Sequence, residues 1–286
     1  MANLAYKRFT RSKVANVFFF TFLALAGAFC VLPMFYNIIT SFKPLDELLV
    51  FPPRFWVYNP TVENFTQIPA LLESLRVPVS RYFFNSLFIS VASTILQIIV
   101  ASMAAFTFSK SRIKGRMVIF LIIQFSLLYN GTTLGLPQYL IFSYMGIIDT
   151  FWVYILPAIP SSMGCFLVKQ YMDSSIPDSL LDAARIDGAG VFRMFWQIAM
   201  PTCKPAWMTL ILFAFQAMWG TVPGGTIFRE ELKTLPYALS SIAQGGIARM
   251  GSAAASSVLL MVPSIIVYFV TQSNVMETMS TSGMKD

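Results

Sequence analysis

The sequence predicts an all-α integral membrane protein with six transmembrane helices and with both termini in the cytoplasm. Three observations lead there. Apolar residues make up 56% of the 286-residue chain and charged ones only 12%, more apolar surface than a soluble core of that length needs. Six intervals hold no charged residue: those between Lys13 and Lys43, Arg81 and Lys110, Arg116 and Asp149, Asp149 and Lys169, Lys204 and Arg229, and Arg249 and Glu277. Each exceeds the roughly 17 residues that cross about 30 Å of hydrocarbon at about 1.5 Å per residue. The third observation is where the basic residues fall, since Lys and Arg are retained on the cytoplasmic side. With the N-terminus inside, Lys43, Arg54, Arg76, Arg81, Arg229, Lys233 and Arg249 lie outside, each balanced by an outside acid, so the net charge of +7 lies inside. This balance describes topology and offers no clustered basic surface for a nucleic acid.

Residues 1–13 form a basic cytoplasmic tail, and the first helix is expected over about 14–40 with a bend at Pro33. Ala26-Gly27-Ala28 has the form of a signal cleavage site, but the apolar run continues to Ile39, which favours a retained helix. The outer segment 41–81 is rich in proline and carries Phe51, Phe55, Trp56 and Tyr58, aromatics suited to the lipid headgroup level or, as a second reading, to sugar stacking. The second helix spans about 82–107. The short basic turn Lys110–Arg116 forces an antiparallel third helix at about 117–136.

Asn130, Gly131, Thr132, Thr133, Gly135, Pro137 and Gln138 put polar and helix-weakening residues near membrane depth, where backbone must face protein or water. Asn130, Thr132, Thr133 and Gln138 are thus candidates for the wall of a translocation path, with helix packing by small residues as the other reading. The fourth helix, about 150–171, is expected to kink at Pro157 and Pro160. The fifth, about 205–224, ends in Trp219-Gly220-Thr221-Val222-Pro223-Gly224-Gly225. An outer loop 226–250 follows, then a sixth helix at about 251–273 that opens on small residues, and a cytoplasmic tail 274–286. The six-helix domain therefore occupies 14–273, with a cytoplasmic loop at 173–204.

Much chemistry is excluded. The chain has no histidine, and its three cysteines, Cys30, Cys165 and Cys203, have neither disulfide nor zinc spacing and read as packing residues. No charge lies deep in any span, as a cation-coupled carrier or a membrane-embedded enzyme requires, and there is no phosphate-binding G-x-x-x-x-G-K-[ST] loop. The chain itself is expected to bind no cofactor. Energy for transport must come from a partner.

Ile176–Pro201, IPDSLLDAARIDGAGVFRMFWQIAMP, is amphipathic and charged between two strongly apolar stretches. Pro177 suits a first helical turn capped by Ser174 or Ser175, with Asp178 at the positive end of the dipole. Asp178–Ile186 reads as a short helix on which Leu180, Ala183, Ala184 and Asp187 share a face suited to a partner's groove. Gly188 ends it, by a left-handed cap or a close backbone approach, and Val191–Met200 reads as a second helix.

This stretch resembles the E-A-A-x-x-x-G loop of the membrane subunits of binding-protein-dependent, ATP-driven importers, in which E-A-A-x-I-D-G-A is followed by a spaced Phe, Ile and Pro. Ala183, Ala184, Ile186, Asp187, Gly188, Ala189, Phe195, Ile198 and Pro201 stand in register, with Asp182 in place of the usual Glu. Weaker matches point to the carbohydrate-uptake branch, similar to the smaller maltose-type permease subunit: Asn64-Phe65, Asn85-Ser86-Leu87, Ala105-Phe106, Lys114-Gly115-Arg116, Leu235-Pro236 and Gly283-Met284-Lys285. The chain departs at Trp219-Gly220-Thr221, where relatives commonly carry Trp-Asn and an acid.

The resemblance implies a type I ATP-binding-cassette importer permease in the cell membrane. Its partners would be a second, homologous permease subunit, two cytoplasmic ATPase subunits, or a homodimer of one, that bind ATP and magnesium, and an extracytoplasmic solute-binding protein. Asp182, Ala183, Ala184, Asp187 and Gly188 would form the contact with the ATPase, with Arg185 and Arg193 either as its ion-pair partners or as positive-inside markers only. A sugar or oligosaccharide is the expected solute. An importer of a peptide or polyamine is the alternative within the family, and a cation-coupled secondary carrier the alternative outside it.

Overall fold

The computed structural model describes residues 13–111, 113–128 and 134–282, and among these the regular structure is helical throughout. The chain divides into two compact units, Met1–Ile68 with Gly245–Val258, and Pro69–Gln244 with Leu259–Asp286.

In the first unit, α1 (Lys13–Ser41) runs unbroken through Pro33. Its flank exposes Phe18, Phe20 and Phe29, which suits a lipid environment and would be a liability in water. The segment after it is held by polar contacts together with ring contacts, Tyr36 on Phe55 and Phe42 on Phe65. Between α2 (Leu45–Leu48) and α3 (Glu63–Thr66), the Glu47 carboxylate accepts the backbone N–H groups of Tyr58 and Asn59 at 3.1 and 2.7 Å. Those N–H groups, Tyr58 first, hold the Glu47 carboxyl below the usual carboxylate range. Asn64 donates to the carbonyls of Ser41 and Lys43 at 3.0 and 2.8 Å, and the Lys43 ammonium donates to the Arg54 carbonyl.

The second unit begins with α4 (Ile68–Leu72) and a short 3₁₀ turn, and is built on the 32-residue α5 (Val79–Lys110), which packs on the helices Trp152–Ala158, Ser162–Ser175 and Lys204–Trp219. After a left-handed Gly115 comes α6 (Arg116–Ser126), then α7 (Gly135–Tyr144), α8 (Trp152–Ala158) and α9 (Ser162–Ser175). The short α10 (Asp178–Ile186), α11 (Val191–Met194) and α12 (Met200–Thr202) lead to α13 (Lys204–Trp219) and α14 (Leu235–Ala243). The last helix, α15, covers Met250–Ser282.

Among the described residues, four helical stretches are long and apolar enough to cross a membrane: Ala15–Ser41, Val79–Lys110, Trp152–Ser175 and Ile247–Ser273. A fifth is added if Val191–Thr202 and Lys204–Trp219, bent by 79°, are taken as one.

Three expected spans differ in detail. The third, expected over 117–136, has α6 ending at Ser126 and α7 beginning at Gly135, since Gly135 and Pro137 suit the first turn of a new helix better than the interior of an old one. The fourth is interrupted at 159–161, after Pro157, and restarts where Ser161 accepts the Gly164 N–H at 2.9 Å as an N-cap; it then runs to Ser175, past the expected end at 171. The fifth stops at Trp219 instead of 224, since Gly220, Pro223, Gly224 and Gly225 cannot sustain the helix.

Candidate functional site

Local sequence dictates the shape of the 176–201 loop. Ile176 leaves α9 buried, and Pro177 takes the N-cap position of α10 without a side-chain cap. The expected cap from Ser174 or Ser175 is absent. Ser174 instead donates to the Tyr171 carbonyl at 2.9 Å, finishing α9, because its hydroxyl lies over the last turn of its own helix. At the other end Gly188 has φ of +80°, its N–H bonds the Arg185 carbonyl at 3.0 Å, and the Ala189 N–H bonds that of Ala184 at 2.9 Å. This is a Schellman cap, and its two apolar positions, Ala184 and Ala189, both pack on the core. Nothing else lies within 4 Å of a Cβ built on Gly188, so within this chain the left-handed conformation is what requires glycine.

The second half of the loop starts as α11, widens into a π turn over Phe195–Ala199, and closes as α12, passing through Pro201 instead of stopping before it. A π turn rotates the side chains beyond it, which lets Phe195 and Ala199 both be buried. The Trp207 indole donates to the Met200 carbonyl at 2.9 Å across the 79° bend into α13.

The loop has two faces. Leu181, Met194, Phe195 and Ala199 enter one core with Ala105 and Phe106 of α5, Met172 of α9 and Leu210 of α13. Opposite, Leu180, Ile186, Val191, Phe192 and Trp196 are exposed, Ile186 at 87%. Asp182, Ala183, Arg185, Asp187, Gly188 and Arg193 are exposed too, and Ala184 is half-buried. Arg185 pairs with Asp182 at 2.8 Å, and Arg193 donates to Gln197 at 2.8 Å, so each arginine is oriented from within the loop.

A latch ties the loop to the end of α5. The Lys110 ammonium, with a side chain only 6% exposed, donates to the Ile176 carbonyl at 2.6 Å and pairs with Asp178 at 2.9 Å. Ser109 donates to Asp173 at 2.5 Å, and Lys169 pairs with Asp173 at 2.7 Å. Arg116 donates to the carbonyls of Ser109 and Ser111. A polar cavity of about 150 Å³ lies between the latch and α10, lined by Lys110, Arg116, Asp178, Asp182 and Arg185. In sequence Lys110 and Arg116 read only as topology markers, for nothing in a basic turn distinguishes a buried donor from a solvated one.

A larger cavity, about 540 Å³, lies among α7, α8 and the end of α13, where Gln138, Tyr139, Phe142, Tyr154, Thr221 and Thr226 line it. Of the four expected path residues, Gln138 is there; Asn130, Thr132 and Thr133 lie outside the described residues. One wall is pinned by Asp149, at φ of +62°, whose carboxylate accepts the N–H groups of Phe228 and Arg229 at 3.0 and 2.9 Å and the Arg229 guanidinium at 2.8 Å. Those bonds, the Arg229 N–H foremost, hold the Asp149 carboxyl below the usual carboxylate range. Cys165 and Cys203 are buried free thiols and Cys30 is an exposed one. Among the described residues no three His, Cys, Asp or Glu side chains form a metal-binding group.

Comparison with known proteins gives concordant results. Residues 93–277 match the family described as binding-protein-dependent transport system inner membrane component. The chain is 25% identical over 276 residues to the inner membrane ABC transporter permease protein YcjP of Escherichia coli (strain K12), covering 95% of this chain and 97% of that one. It is 28% identical over 280 residues to the arabinooligosaccharides transport system permease protein AraQ of Bacillus subtilis (strain 168), covering 97% and 98%. Its fold is similar, with TM-score 0.75 and 22% identity over 92% of this chain and 98% of the other, to a chain of a bacterial ABC transporter involved in the import of the acidic polysaccharide alginate.

Proposed function

This chain belongs to the family of binding-protein-dependent transport system inner membrane components, and from that premise we propose that it is a permease subunit of an ATP-driven importer of a sugar or oligosaccharide. As a family member it is a multi-pass inner-membrane transport component and not an enzyme, and it works with an ATPase and a solute-binding protein. The saccharide assignment is supported by the arabinooligosaccharide relative, aligned over nearly the whole of both chains.

In this reading the chain crosses the membrane six times, with 116–144 as the third crossing and both termini in the cytoplasm. It pairs with a second, homologous permease subunit to enclose the path. Two ATPase subunits bind ATP and magnesium and dock on the loop 176–201 through Asp182, Ala183, Ala184, Asp187 and Gly188, with Arg185 and Arg193 at the rim. Asn130, Thr132, Thr133 and Gln138 belong to the path wall.

The observation that carries the coupling role is the two-faced loop. Its inner face is embedded in the α5, α9 and α13 core, and its outer face presents Leu180, Ile186, Phe192 and Trp196, exposed among the described residues. A displacement applied to the outer face moves the packed inner face with it, because a close-packed core transmits strain instead of absorbing it. Closure of the ATPase pair therefore biases the permease between inward-open and outward-open states.

The test is solute uptake by the whole complex in proteoliposomes. Uptake is expected to require ATP and to survive an ionophore; uptake that persists without ATP and collapses with the ionophore would make the chain a secondary carrier.

A further inference from the structure

The 540 Å³ cavity falls in the size range of about 300–1,000 Å³ typical of small-molecule sites. Its lining combines aromatic rings, Tyr139, Phe142 and Tyr154, with neutral hydrogen-bonding side chains, Gln138, Thr221 and Thr226. Among the described residues no lining residue is charged. Asp149 and Arg229, which pin the wall at Thr226, neutralise each other at 2.8 Å and lend the cavity no net charge.

The same cavity is bordered by Val222, Pro223, Gly224 and Gly225, which lie outside any helix between Trp219 and the 3₁₀ turn at Glu230–Leu232. Irregular backbone within a membrane protein faces protein or a water-filled space and not acyl chains, so this wall is directed away from lipid.

We propose that this cavity is a solute subsite carried by this subunit and that it takes an uncharged saccharide, with Tyr139 as the ring platform and Gln138 and Thr221 as hydrogen-bonding groups. The proposal rests on the importer reading above. Each element of the lining has a counterpart in such a ligand. The C–H faces of a sugar ring stack on aromatic rings, and its hydroxyls both donate to and accept from amide and hydroxyl side chains. A peptide, a polyamine or a uronic acid would bring charges into a site with no counter-charge, where desolvation works against them. The subsite therefore selects neutral sugars by what it omits as much as by what it presents.

The experiment uses the complete complex in proteoliposomes with its own solute-binding protein. That protein first selects its ligand from a radiolabelled panel of neutral di- and trisaccharides of hexoses and pentoses, a uronate disaccharide, a tripeptide and a polyamine. ATP-dependent uptake of the selected ligand is then compared for the natural complex, Tyr139→Ala and Tyr139→Phe, with copurification of the partner subunits as the control for assembly. Selection of a neutral saccharide is expected, with uptake by Tyr139→Ala down about tenfold, the loss of one ligand contact, and most of it recovered by Tyr139→Phe, which keeps the ring.

Unaltered uptake by Tyr139→Ala overturns the subsite, and so does equal loss in both variants, which marks the hydroxyl and not the ring as the group that matters. Selection of the uronate, the peptide or the polyamine, or of nothing in the panel, overturns the ligand class. No ATP-dependent uptake by the natural complex removes the importer premise itself, an outcome distinct from the others.

Discussion

Gly188, Ala184 and Ala189 show how a motif met as a pattern resolves into separate physical demands. Glycine is required at 188 because φ is +80°, and small apolar residues are required at 184 and 189 because they close a Schellman cap onto the core. A β-branched residue at 188 is strained by about 1–2 kcal/mol or more whatever the space around it. Gly188→Val is therefore expected to unwind the end of α10, and Ala184→Asp to set a carboxylate against the same core. Both should abolish ligand-stimulated ATP hydrolysis by the complex while the helices still insert; retained coupled hydrolysis in both would remove the docking assignment. Lys110 belongs to the same scale. Lys110→Met keeps the buried stem but removes its bonds to the Ile176 carbonyl and to Asp178, a loss of about 1–3 kcal/mol for a charged hydrogen bond. Amide hydrogen exchange across α10 should quicken about tenfold or more, in line with that energy. Unchanged exchange would show that the core contact of Leu181 alone holds the helix.

Several resemblance residues prove to be ties between α5 and the segment beyond α13. The Asn85 amide donates to the carbonyls of Glu231 and Lys233 at 2.7 and 2.9 Å, and the Leu235 N–H donates to the Ser86 hydroxyl at 2.7 Å, so Asn85-Ser86 and Leu235-Pro236 are two halves of one joint. Asn85→Leu takes the amide donor from the Lys233 carbonyl and leaves the Glu231 carbonyl with the longer Arg81 bond at 3.4 Å. It should lower the unfolding temperature of the complex measurably, with about 1–3 kcal/mol lost per unmet group, and an unshifted temperature would argue that other donors replace the amide. Asn64 and Gly251 form a comparable pair: a Cβ at 251 would lie 2.4 Å from Asn64 Oδ1.

The elements were legible in the sequence to the extent that charge marks a helix end. Expected 82–107 became Val79–Lys110, and the α10 helix with its glycine stop was readable from spacing alone. Breaks inside uncharged intervals were less legible, since Thr221-Val222-Pro223-Gly224-Gly225 is as free of charge as a span and differs only in backbone preference. The π turn at Phe195–Ala199 and the Lys110 latch left no readable sign, because both depend on partners distant in the chain.

At the scale of the whole molecule, alternating access demands a fixed sidedness, because the ATPase and the solute-binding protein act from opposite faces. In the proposed orientation basic residues supply it: residues 1–13 and the turn Lys110–Arg116 carry the positive excess, four basic residues each and no acid, whereas Lys169–Lys204 sets four basic residues against four acids. Two exposed positions report on that arrangement, Ile186 at 87% and Phe228 at 65% exposure. With the three native cysteines replaced, Ile186→Cys in intact cells is expected to escape a membrane-impermeant thiol reagent until the cells are opened, and Phe228→Cys to react at once. Occupancy by the ATPase should further slow labelling at Ile186→Cys in opened membranes, because the same exposed face is the proposed docking surface. The reverse pattern, with Ile186→Cys labelled from outside, would place the loop 176–201 beyond the reach of any cytoplasmic ATPase. The coupling role and the six-crossing orientation would then fall together, since both rest on the same placement of charge.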